Sequence, residues 1–178
     1  MARAPFSLED GRIRIADAVF VYLERGYAPA GVLEGDAVPR SHGVAPAAVS
    51  KEGEVLAAVG AGEAVWLGFQ ATDRARPVTL RVRVDGSPPL DALTGERWEP
   101  AAPGLLCPPR CRLGGVAVEG GRRPFGAVGE ERLAVVAWVP EPAEVPVRLV
   151  RPDRFAELTG REPDAIDPDA AYRGWGLP

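Results

Sequence analysis

GEAVWLGFQ (Gly62 to Gln70) and PVTLRVRVDG (Pro77 to Gly86) decide the fold. In the second stretch Val78, Leu80, Val82 and Val84 fall on one face of a strand, and Thr79, Arg81, Arg83 and Asp85 on the other. A sheet with one face in a core and the other toward solvent or a ligand produces that alternation. Gly86-Ser87-Pro88-Pro89 ends the strand, because proline supplies no ladder donor. LDALTGERW (Leu90 to Trp98) reads as a tight turn, and CPPRCRLGGV (Cys107 to Val116) and GRRPFGAV (Gly121 to Val128) follow as glycine-containing loops.

Working outward, Val55 to Val59 and Glu63 to Phe69 are expected to form a hairpin around Gly60-Ala61-Gly62. Residues 12–23 alternate as one strand, or a strand bent near Asp17. Residues 24–52 carry Gly26, Pro29, Gly31, Gly35, Pro39, Gly43 and Pro46 and read as an irregular loop. Val116 to Val118, Leu133 to Val139 and Val145 to Val150 supply further strands. After Arg151 the pattern changes. Pro152 to Gly160 predicts a short helix, with proline at its start and glycine past its end. Pro168 to Tyr172 predicts a second helical turn, and Trp175 is expected to dock on the domain. The expected fold is mainly β, a sandwich or flattened barrel of about seven to nine strands over residues 1–150, with a helical C-terminal segment, 151–178, packed on it.

The chain has 178 residues, enough for one domain with a sizeable core. No apolar run approaches the roughly 18 residues that span a bilayer. MARAPFSLEDGRIRI lacks the apolar stretch of a secretory signal, so the expected location is the cytoplasm, away from membranes. A net charge of −4 argues against a broad nucleic-acid surface. Nearly all basic residues are Arg, with Lys51 the single Lys, which fits a GC-rich genome.

Glu63-Ala64-Val65-Trp66-Leu67-Gly68-Phe69, Leu90 to Trp98, Pro108 to Gly115 and Arg122 to Ala127 occur in a fixed order. In that order the chain resembles an uncharacterised family of bacterial and fungal proteins. The family's motifs are E-A-M-W-L-x-F, N-A-x-S-G-x-x-W, P-x-Q-x-W-L-D-G and V-R-Q-F-V-A. The resemblance covers about residues 62–128. Asp91 stands where the family has Asn, Arg110 where it has Gln, Arg112 where it has Trp, Gly114 where it has Asp and Pro124 where it has Gln. The apolar and glycine skeleton is kept and several polar positions are not, so the resemblance implies a shared fold and no activity.

Arg81 and Arg83, on the face opposite the core, either line a binding groove or pair with acids on a neighbouring strand. Gly114-Gly115 and Gly120-Gly121 ahead of Arg122-Arg123 suit an anion cradle, although a plain hairpin turn with solvated arginines explains them as well. His42 is the single histidine, and an exposed loop position suits it better than a general base. Asp85, Asp91 and Glu96 are the acids nearest such a role. Cys107 and Cys111 form a C-x-x-x-C pair, a redox candidate or half a metal site, with too few partners for zinc. Trp66 and Trp98 fit core or turn anchors.

The reading is therefore a non-catalytic β module that binds a protein partner or a small-molecule ligand, or is a structural subunit. Self-association is left open, and nucleic acid, metal and cofactor are not expected. Its candidate ligand-binding residues are Arg81, Arg83, Asp91, Arg122 and Arg123. The alternatives are a small enzyme with a β cavity using His42 or an acid as base, and a metal- or redox-linked protein using Cys107 and Cys111.

Overall fold

The alternation of Val78 to Val84 recurs along the longer strands and sorts their side chains into one shared core. The computed structural model describes residues 5–169. In chain order the strands are β1 (Phe6–Glu9), β2 (Arg12–Ile15), β3 (Val19–Tyr27), β4 (Ala47–Val49), β5 (Val55–Ala58), β6 (Glu63–Ala71) and β7 (Val78–Val84). They continue with β8 (Leu90–Asp91), β9 (Leu105–Cys107), β10 (Arg112–Leu113), β11 (Val116–Val118), β12 (Gly121–Arg123), β13 (Glu131–Trp138) and β14 (Pro142–Val150), and helix α1 (Pro152–Thr159) follows. The described residues are mainly β, with several sheets, no closed barrel and one short helix, α1. Among the described residues eight strands span four residues or more, and the other six have two or three.

One sheet has the order β1-β2-β3-β6-β10. The larger runs β4-β5-β14-β13-β7-β8, with β9 also paired to β7. Neighbours are antiparallel except β5 and β14, which are parallel. Strands β11 and β12 form a separate hairpin. Ile13, Val21, Leu23, Leu67 and Phe69 of the first sheet meet Leu80, Val82, Val135, Val145 and Leu149 of the second in one buried cluster. Each such side chain contributes about 1.5–3 kcal/mol by leaving water. The two sheets therefore form a sandwich around a single core.

The structure corrects three local expectations. Val55–Ala58 and Glu63–Ala71 do not pair as a hairpin: β5 belongs to the larger sheet and β6 to the smaller. The Gly60-Ala61-Gly62 turn carries the chain across the sandwich. Residues 12–23 are neither one strand nor a bent one, but the hairpin of β2 and β3, turning where Ala16 and Asp17 take positive φ. The irregular stretch 24–52 begins as the end of β3 and contains β4. Its residues His42 to Ala45 continue the ladder beside β3 through bonds to Leu23 and Arg25.

Helix α1 starts at Pro152 and stops at Gly160, whose left-handed φ of 70° lets its N–H donate to the Ala156 carbonyl. It buries Phe155 against Leu56, Ala58 and Val150 on the outer face of the larger sheet. Beyond the helix, the Arg25 guanidinium donates to the carbonyls of Asp164 and Ala165. Pro168 and Asp169 form a turn, while the rest of the second helical turn and Trp175 lie outside the described residues. No helix among the described residues is long and apolar enough to cross a membrane.

Candidate functional site

The site grows from β7. Its register with β13 and β9 puts Thr79, Arg81 and Arg83 on the outer face beside Trp138, Val136, Ala134 and Leu106. After β7 the chain turns back, and Asp91 arrives on β8 opposite Arg83. The Arg81 side chain is 0% exposed and that of Asp91 3%. Arg81 donates from Nε and Nη2 to one Asp91 oxygen at 3.0 and 2.5 Å. Its Nη1 donates to the carbonyls of Glu99 and Pro100 at 2.6 and 3.0 Å. The other Asp91 oxygen accepts the Leu93 N–H, and the Asp91 carbonyl accepts the N–H of Gly95. Trp98 closes the arrangement from outside, its ring 3.8 Å from the Arg81 guanidinium carbon.

Two glycines make the packing feasible. A Cβ on Gly95, whose φ is 75°, would come within 2.3 Å of the Ala117 carbonyl oxygen. One on Gly104 would come within 2.5 Å of the Leu80 carbonyl oxygen and 2.8 Å of Arg81 Cγ. The Arg81 guanidinium thus ties the loop from Gly86 to Gly104 onto the outer face, beside the pairing of β8 with β7.

Arg83, two residues on, is partly open. Its two terminal nitrogens donate to the two Glu144 oxygens at 3.2 and 2.9 Å, and its Nε donates to Asp85. Partial burial lowers the Arg83 pKa, but the bonds to Glu144 and Asp85 outweigh it and leave the pKa raised. Its guanidinium also lies 5.8 Å from the Trp98 ring. Leu106, 45% exposed, and Trp138, partly exposed, flank Thr79 on the same face.

Four of the five arginine and aspartate candidates converge on this turn. Arg122 reaches it from the opposite side, donating to the carbonyls of Ala92, Leu93 and Gly115. Burial pushes the Arg122 pKa down, with Arg110 adding to the shift and Asp36 and Asp91 opposing it. Arg123 stands apart, bonded to Glu131, whose other oxygen accepts the Gly126 N–H. Gly114, Gly115 and Gly121 are packed against the carbonyls of Ala37, Arg123 and Leu33, so these glycines serve close backbone approach.

The other candidates are scattered. His42 packs edge-on against Tyr27 at 5.0 Å. Its neighbour Ser41 donates to the buried Glu24 carboxylate, and Ser41 Oγ accepts the Gly43 N–H. Asp85 pairs with Arg83, and the Glu96 carbonyl accepts from Asp91. Trp66 is buried, as an anchor should be. Cys107 is buried, Cys111 is exposed and both are free thiols. No group of three or more His, Cys, Asp or Glu among the described residues could hold a metal ion. An open hollow of about 260 Å³ lies between the Gly60 turn, the Gly126–Gly129 loop and Arg151.

Sequence reasoning missed Glu144, Leu106 and Trp138 as members of the site. Glu144 was legible: Ala143, Val145 and Val147 face inward, which sends Glu144 outward. Its pairing with Arg83 depends on strand order, which no local pattern carries. No family model, curated protein or solved structure matches the chain.

Proposed function

We propose that this protein is a non-catalytic β-sandwich interaction module that recognises a partner protein with the outer face of its larger sheet. The observation that carries the reading is the juxtaposition of Trp98, Trp138, exposed Leu106 and the Arg83–Glu144 pair on one rigid surface. Tryptophan and arginine are enriched among protein-binding hot spots, and a polar, charged rim around them is usual. Arg83 is the contact arginine in this reading. Arg81, Asp91 and Arg122 hold the surface in shape, and Arg123 lies outside it. The resemblance to the uncharacterised bacterial and fungal family fits a shared sandwich, and the reading places the module in the cytoplasm of a bacterium.

The test is affinity capture from extract of the cells that make the protein, using wild type, Leu106→Glu and Arg83→Ala as baits. Sedimentation velocity of each covers the case in which the partner is a second copy. The expected result is a partner retained by wild type and lost by both variants, whose circular dichroism matches wild type. A partner held equally by all three would overturn the assignment of this face. Turnover of a substrate that survives both substitutions would overturn the non-catalytic reading.

A further inference from the structure

Cys107 and Cys111 flank the crossing between the two sheets. Cys107 ends β9, opposite Val78 on the larger sheet. Four residues later the Cys111 carbonyl accepts the Phe69 N–H of β6, on the smaller sheet. The chain between them doubles back, because the Arg110 N–H donates to the Leu106 carbonyl at 3.0 Å. The Ala71 N–H of β6 lies close enough to the Cys107 sulfur to favour its thiolate. Phe69 and Ala71 are two residues apart, about 6.8 Å along a strand. Both cysteines therefore sit beside one short length of β6, and joining them takes an adjustment of the loop to disulfide geometry. One thiol is open to solvent and the other is not.

We propose that Cys111 is a thiol–disulfide exchange site for small-molecule disulfides, and that Cys107 is its resolving thiol. In the first step the Cys111 thiolate attacks one sulfur of a disulfide such as oxidised glutathione. The S–S bond breaks, one glutathione thiolate leaves and takes a proton, and a mixed disulfide stays on Cys111. In the second step Cys107 gives up its proton to solvent, and its sulfur attacks Cys111 Sγ. The second glutathione thiolate leaves and is protonated. Two protein thiols are oxidised to one cystine, and one small disulfide is reduced to two thiols. Burial pushes the Cys107 thiol up, with the nearby Cys111 adding to the shift and the Ala71 N–H opposing it. Attack therefore starts at the exposed sulfur, and a local opening of the 107–111 loop precedes the second step. The cystine closes the crossing between β9 and β6.

The experiment is incubation of the reduced full chain with oxidised glutathione, followed by intact mass and non-reducing peptide mapping. Wild type is expected to end two hydrogens lighter with no glutathione retained, and its map to join Cys107 to Cys111. Cys107→Ala is expected to keep one glutathione on Cys111, and Cys111→Ser to stay unmodified. The wild-type map reads the outcome even if a variant misfolds. A stable glutathione adduct on wild-type Cys111, a disulfide between two chains, or no reaction would each overturn the proposal.

Discussion

Arg81 and Arg83 stand two residues apart on the same face of the same strand, and each binds a carboxylate. The side chains of Arg81 and Asp91 are 0% and 3% exposed, those of Arg83 and Glu144 24% and 48%. The inner pair has lost its water, so every hydrogen bond around it holds a desolvated charge in place. The outer pair keeps much of its water and is screened by salt, so it adds little to stability and can exchange partners. Identical side chains in adjacent outward positions thus take opposite roles. The loop that covers one of them makes the difference.

The largest break in this comparison is Asp91→Ala. It leaves the Arg81 guanidinium buried without a counter-charge and frees the loop, and a loss of about 3–5 kcal/mol is expected in denaturant unfolding. A loss under about 1 kcal/mol would show that the loop lets water reach Arg81. Next comes Trp98→Ala, which uncovers Arg81; removing a desolvated cation–π contact costs on the order of 2 kcal/mol. Here thermal unfolding is the readout, with the partner binding of Trp98→Ala also reduced. A double-mutant cycle on Arg83 and Glu144 should give a coupling within about 1 kcal/mol. Repeated in high salt, that coupling should shrink toward zero, and an unchanged value would mean that the pair is sealed from solvent. Least of all is expected from Arg123→Ala in binding: it lies off the face, so partner affinity should match wild type in a titration.

The framework of this molecule is legible in its residues because strand alternation is local. Val78 to Val84 assign their own inner and outer faces, and Pro152 and Gly160 bracket a helix by backbone chemistry alone. Cross-strand pairing of an outward arginine with an acid is also readable, and Arg81 with Asp91 realises it. What could not be read is long-range. The Gly60–Gly62 turn looks like a hairpin, and only the competition among β3, β5, β10 and β14 for neighbours assigns its two strands to different sheets. Nor could the Gly114 to Arg123 segment show that Gly114 and Gly121 face the Ala37 and Leu33 carbonyls of a distant loop. Burial of Arg81 depends on Glu99, Pro100 and Trp98 arriving from the loop. No local pattern carries that arrival.

The contrast between a locked and an available arginine is tested most directly by partner retention on immobilised Arg83→Ala beside wild type. The account predicts that Arg83→Ala keeps the wild-type fold and releases the partner at a concentration where wild type holds it. Equal retention by both proteins would contradict it.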